Sequence, residues 1–172
     1  MRIRIYNAIS KDGYILDEQG EHFIYFTSGT TEFKKLLKEA DCILMDHANY
    51  EYLNNQKVLP FKNKFMIVVV PEESTFSGSD FLWFTNLEPK QIKREIKIQG
   101  YQSVLCLVGN ELLQKFITQK VATEIQISLY HGLQGGGVEK IDIIESISKK
   151  NTPIIKKSAN FEQYNFVLKK VL

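Results

Sequence analysis

The run NKFMIVVVP, residues 63 to 71, decides the fold. Every residue from Phe65 to Val70 is apolar, whereas a strand with one wet face would alternate apolar and polar side chains. A strand covered on both faces is what a parallel sheet lined by helices requires. Pro71 ends the run, since proline offers no amide to a neighbouring strand. DCILM at 41–45 and SVLCLVG at 103–109 repeat the pattern.

Outward from these runs the chain alternates strand and helix. RIRIYNAI, residues 2 to 9, has period two and reads as a first strand with Ile3 and Ile5 on one face, stopped by the turn KDGY. Residues 14 to 31 mix aromatic, acidic and glycine residues without a period and read as a long loop. Thr30 or Thr31 caps a helix over Glu32–Glu39 whose apolar stripe is Phe33, Leu36 and Leu37. Further helices are expected over Ala48–Leu53, Glu88–Gln99 (with Ile92 and Ile96 inward and Gly100 closing it) and Glu111–Thr118, with a short strand at Phe81–Phe84. From Val121 onward the segments TEIQISLY, VEKIDIIESIS, PIIKK and FEQYNFVLKKVL read as strands that close the sheet in antiparallel fashion. The expected class is α/β: one domain over 1–172, with a mixed, mostly parallel central sheet, flanking helices and antiparallel C-terminal strands.

Composition narrows the function classes. Hydrophobic residues make up 44% and charged residues 24% of the 172, values of an ordinary globular chain and not of a disordered or fibrous one. Against 20 acidic residues there are 22 basic ones, scattered and without an ordered aromatic platform, so neither nucleic acid nor an anionic membrane is an expected partner. The longest apolar run falls far short of the ~20 residues that cross a bilayer, and MRIRIYNAIS lacks the apolar block of a signal peptide, so a cytoplasmic protein is expected. Cys42 and Cys106 lie in strand-like runs, where cysteine acts as a small buried hydrophobe. His22, His47 and His131 have no zinc-site spacing, and no metal is expected. The run Gly135-Gly136-Gly137 lacks the Lys-Ser of a phosphate loop and reads as a flexible hairpin turn.

Five segments in order carry a resemblance: NAISKDGYI (7–15), ADCILMDHANYEYL (40–53), KFMIVVVPEEST (64–75), SVLCLVGNELLQKFI (103–117) and TEIQISLYHGLQGGG (123–137). Together they resemble the dihydrofolate-reductase-like superfamily, especially the reductase domain of bacterial riboflavin biosynthesis enzymes. That resemblance implies a reductase delivering hydride from NADPH to a pteridine, pyrimidine or related heteroaromatic small molecule, the protein's task being to orient cofactor and ring. It implies that the first strand and its turn, Ala8, Ser10, Asp12 and Gly13, border the nicotinamide and substrate, with Ala8 a cofactor contact. Asp12 is a catalytic candidate, although Asp-Gly is also a turn signal by itself. It implies cofactor contacts at Val108, Gly109, Asn110, Glu111, Leu112 and Leu113, where glycine and a helix start bring amides to a pyrophosphate. Asn49 then stands as a phosphate contact, Tyr25 beside the substrate, and Glu124 as a second catalytic carboxylate, with a solvated strand-start residue as its plain alternative. Relatives of this type also imply a homodimer, for which Phe161, Tyr164, Phe166 and Leu168 supply an apolar face on the last strand.

The chain departs from the family pattern where phosphates would be held. Asp46-His47-Ala48-Asn49-Tyr50 stands where the family has Gly-Arg-x-Thr-Tyr, and Pro71-Glu72-Glu73 stands where it has a hydroxyl and an arginine for the 2′-phosphate. One carboxylate ~6 Å from a phosphate charge costs about 3 kcal/mol at an effective dielectric near 20. Asp46 with one of the glutamates therefore offsets much of a micromolar affinity, about 8 kcal/mol. Two expectations follow: a pyridine-nucleotide-dependent reductase, or a non-catalytic binding or regulatory relative that keeps the fold without the phosphate contacts.

Overall fold

The computed structural model describes residues 1–15, 30–55, 61, 63–71, 77–136 and 144–168. Eight strands form one sheet: β1 (Arg2–Ser10), β2 (Cys42–Asp46), β3 (Phe65–Val69), β4 (Leu82–Thr85), β5 (Ser103–Leu107), β6 (Glu124–Tyr130), β7 (Ile154–Lys157) and β8 (Phe161–Val167). Their order is β4-β3-β2-β5-β1-β6-β8-β7. The helices are α1 (Thr31–Glu39), α2 (His47–Asn55), α3 (Pro89–Ile98), α4 (Asn110–Thr118) and a single turn and a half, α5 (Ile144–Ser148).

The three apolar runs occupy neighbouring positions β3, β2 and β5, where both faces are covered. Alternate residues of each run feed two cores. Ile43, Met45, Met66, Val68, Leu105 and Leu107 pack under α1 and α2 with Phe33, Leu36 and Leu53. Cys42, Leu44, Ile67, Val104 and Cys106 pack under α3, α4 and α5 with Ile92, Ile96, Leu113, Phe116 and Ile147. At roughly 1.5–3 kcal/mol per fully buried aliphatic or aromatic side chain, both layers are needed to offset the ordering of the chain. The helix ends follow the local signals: the Thr30 hydroxyl accepts the Phe33 amide at 3.2 Å, and Gly100 takes a φ of 87° after α3, a conformation that suits glycine.

Three expectations are corrected. β6 pairs with β1 in parallel, Arg4 opposite Glu124 and Ser10 opposite Tyr130, so the antiparallel part begins only at β8. A parallel partner needs a crossover, and α4 supplies it between β5 and β6. The stretch ending VEKIDIIESIS contains the helix α5 at 144–148; Ile147 is its buried residue, and residues 137 to 143 lie outside the described set. The apolar face of β8 is covered from within: Phe166 is 1% exposed, and Tyr164 and Leu168 pack on the same core. Phe161, on the other face, meets Tyr130 in a tilted ring pair with centroids 5.5 Å apart.

The topology fixes where a site can form. Connections from β1 outward to β3 carry α1 and α2 on one face, whereas those leading to β5 and back to β6 carry α3 and α4 on the other. The handover falls between β2 and β5. Chains leave those two strands in opposite directions, which opens a crevice beyond their carboxyl ends.

Candidate functional site

A cleft of about 460 Å³ lies at that crevice, within the usual size of small-molecule sites. Its walls are the carboxyl ends of β2 to β5 and the first residues of three helices: Asp46, His47 and Ala48 at α2, Leu87, Glu88 and Pro89 at α3, Gly109, Glu111 and Leu112 at α4. Helix starts carry unsatisfied amides and the positive end of the dipole; Asp46 caps α2, and α3 opens on Glu88 and Pro89, so α4, which has no side-chain cap, is the start open to an anionic group.

Asp46 caps two elements at once. Its Oδ1 accepts the Asn49 amide at 2.8 Å, the N-cap bond of α2, while Oδ2 accepts the Asn49 side-chain amide at 3.1 Å and the Gly109 backbone N–H. Three N–H groups pointing at both oxygens are the partners of an ionised carboxylate. Burial nevertheless pushes its pKa up, and the bonds from Gly109 and Asn49 oppose that shift. Asp46 thus ties the end of β2 to the β5–α4 junction.

Asn49 completes the tie. It is buried, and its Nδ2 also donates to the Leu107 carbonyl at 3.1 Å. Asn7 does the same from β1, donating to the Val108 carbonyl at 3.1 Å. The expected phosphate contact at Asn49 is therefore turned inward, because the amide saturates backbone that would otherwise be buried without a partner. Of the other residues expected at a cofactor, Gly109, Glu111 and Leu112 do line the cleft. Ala8, Val108 and Leu113 are fully buried in the two cores and reach no cleft with their side chains. Asn110 opens α4, and its Oδ1 is buried without a hydrogen-bond partner.

Asp12 sits on the same edge of the sheet, in a closed turn. The Ser10 hydroxyl donates to its carboxylate at 2.5 Å and accepts the Tyr14 amide at 3.0 Å, and Gly13 holds φ 93° between them. Gly135 presses on this turn: a Cβ there would stand 2.3 Å from Tyr14 Cβ and 2.5 Å from Ser10 Oγ. The glycine at 135 serves close approach, which corrects its reading as a flexible turn. Tyr130, opposite Ser10, has its phenol pushed up by burial, then by Tyr6 and Glu32.

Glu124 is not brought to this edge. It lies opposite Arg4 at the other end of β6, six residues before Tyr130, or about 20 Å along a strand. There Arg2 Nε donates to it at 2.7 Å and Arg4 Nε at 2.9 Å, and both arginines also reach Glu39. The strand start is a salt-bridged seam, and the pocket lined by Arg2, Arg4 and Glu39 there holds about 10 Å³, too little to seat a ring. Tyr25, Glu72 and Glu73 lie outside the described residues.

Three rim residues, Glu88, Lys115 and Gln119, were not singled out from the sequence as site residues. Lys115 Nζ lies 3.3 Å from Glu88 and 3.8 Å from Glu111, and Gln119 Nε2 donates to Glu88 at 2.6 Å, closing the rim between α3 and α4. Glu88-Pro89 is legible as a helix start, but its meeting with Lys115, 27 residues on, depends on how α3 and α4 pack. Among the described residues no group of His, Cys, Asp and Glu is arranged to hold a metal ion, and no helix is long and apolar enough to cross a membrane.

No family model matches the chain, and neither does any curated protein sequence. Its backbone is similar to many solved structures. A protein from Shewanella sp. PV-4 described as a riboflavin biosynthesis protein superposes with a TM-score of 0.75 at 20% identity, over 99% of this chain and 100% of that one. The diaminohydroxyphosphoribosylaminopyrimidine deaminase/5-amino-6-(5-phosphoribosylamino)uracil reductase of Thermotoga maritima gives 0.73 at 14% identity, and Acinetobacter baumannii RibD gives 0.64 at 10%. Each of these two matches covers 96% of this chain but only 56% and 57% of the longer proteins, so this chain spans just over half their length. The parallel sheet, the crossover helices on both faces and the antiparallel β8 are thus those of a dihydrofolate-reductase-like fold in its RibD form.

Proposed function

We propose that the chain is a pyridine-nucleotide-dependent reductase acting on a pteridine, pyrimidine or related heteroaromatic ring. The observation that carries this reading is the cleft at the β2/β5 crevice, walled by three helix starts, in a fold of RibD form. The residues fit the pyrophosphate of a dinucleotide: α4 begins at a glycine N-cap that makes no side-chain cap bond, leaving its first-turn amides toward the cleft, and Lys115 stands on the same wall. When bound, the nicotinamide would supply the hydride. The chain's own part is to orient. Gly109 lets the backbone approach the phosphates, Leu87 and Leu112 exclude water, and the β1 turn offers Asp12 as a group that can hold a proton beside the ring. Glu124 has no part in this reading. A homodimer belongs to it, through the edge strand β7, whose Ile154 and Ile155 are exposed; sedimentation at twice 19.9 kDa supports that pairing and a single 19.9 kDa species excludes it.

A second reading has its own observation: the Asp46 carboxylate already takes the Gly109 amide. On that reading the chain is a binding or regulatory relative without reductase activity. Titration with NADH and NADPH at low salt, following emission of the single tryptophan, Trp83 on β4, separates the two. Saturable quenching by either nucleotide supports the reductase; the absence of binding by both refutes it.

A further inference from the structure

We infer that the cleft selects a dinucleotide whose adenosine ribose carries free 2′- and 3′-hydroxyls, NADH or NAD+, and rejects one bearing a 2′-phosphate. This rests on the reading of the cleft as a nucleotide site. The described lining holds three carboxylates, Asp46, Glu88 and Glu111, against one ammonium, Lys115, and the imidazole of His47, with no arginine. The ammonium already stands between two acids, Lys115 beside Glu88 at 3.3 Å and Glu111 at 3.8 Å, and the imidazole Nδ1 of His47 lies 3.6 Å from Glu51. Of the three helix starts, α2 has its N3 amide taken by Asp46, and α3 opens on Pro89, which has no amide N–H, with the Glu88 carboxylate at its N-cap. One anionic group, the pyrophosphate, can therefore be met at α4, and nothing in the described lining is left to neutralise a second.

The sheet order gives the direction in which the ligand lies. With its pyrophosphate at α4, a dinucleotide extends its adenosine end toward β3 and β4, where the cleft continues past Val70, Pro71 and Asn86 to Glu88. A carboxylate at that position accepts hydrogen bonds from a ribose diol, and it repels a phosphate that brings about two negative charges. Glu88 is held for this use, with Lys115 and Gln119 fixing its two oxygens from one side.

Calorimetric titration of the intact protein with NADH, NADPH, ADP-ribose and 2′-phospho-ADP-ribose tests the inference without any turnover. NADH and ADP-ribose are expected to bind at least tenfold more tightly than their 2′-phosphorylated counterparts, and the gap should narrow between 0.02 and 0.3 M salt, roughly as screening demands. Glu88→Gln, which keeps the shape of a half-exposed side chain and removes its charge, should weaken the discrimination and bring NADPH to within about threefold of NADH. NADPH binding as tightly as NADH overturns the inference and leaves the nucleotide site standing. Binding of none of the four overturns both.

Discussion

Truncating Asn49 to alanine separates a structural tie from a ligand contact. In the structure the Asn49 side chain is 4% exposed and its Nδ2 serves the Leu107 carbonyl and Asp46 Oδ2, both at 3.1 Å. Alanine removes both bonds at about 1 kcal/mol each, and a buried carbonyl left without its donor adds about 1–2 kcal/mol more. The expected loss is therefore about 3–4 kcal/mol. For 172 residues the unfolding entropy near the midpoint is about 0.36 kcal/mol per kelvin, so Tm should fall by about 8–11 °C. Circular dichroism melting at neutral pH measures this directly, and amide exchange at Gly109 should accelerate because Asp46 loses one of the bonds that position it. If Asn49 were instead a phosphate contact, as its place in the sequence suggests, the variant would keep its Tm and lose about tenfold to a hundredfold in nucleotide affinity, the worth of one bond to a charged group. An unchanged Tm with weakened binding refutes the inward assignment.

Other outcomes follow from particular contacts. Phe166→Glu places a charge in the core under α4 and α5, so it should abolish cooperative melting; a folded monomer in place of a dimer would mean that β8 faces a partner instead. Burial pushes the Cys42 thiol up to about 12 and Cys106 well above its ordinary value, so an aromatic disulfide reagent at pH 8 should find no reactive thiol until guanidinium unfolds the chain; rapid labelling of either refutes the burial. Asp46 is raised by burial, so between the unfolded and native pKa values the native chain holds more protons and stability falls as pH rises. Relative to a non-titrating Asp46→Asn protein, the natural chain should lose stability from about pH 4 upward, and a relative gain over that range would contradict the buried placement.

Much of the fold was legible without coordinates because burial on both faces leaves a local mark. Residues 42–45, 65–70 and 104–108 are apolar throughout, and each became a central parallel strand; Thr30, Pro89 and Gly100 mark helix ends through backbone preferences that need no distant partner. The direction of β6 left no such mark. TEIQISLY carries the same side chains whether it runs parallel or antiparallel to β1, and only the crossover through α4 decides. Glu124 and Asp12 illustrate the consequence: the parallel register sends them to opposite ends of the sheet, one into a seam with Arg2 and Arg4, the other to the edge that bears the cleft. Asp46 and Asn49 read from sequence as replacements for phosphate contacts, yet their partners, Gly109 and Leu107, lie 63 and 58 residues away. Sequence alone set which segments are buried and where helices start, because those preferences are local. Which polar groups meet at the crevice was decided by tertiary packing, since a hydrogen bond between strand ends exists only once β2 and β5 lie side by side.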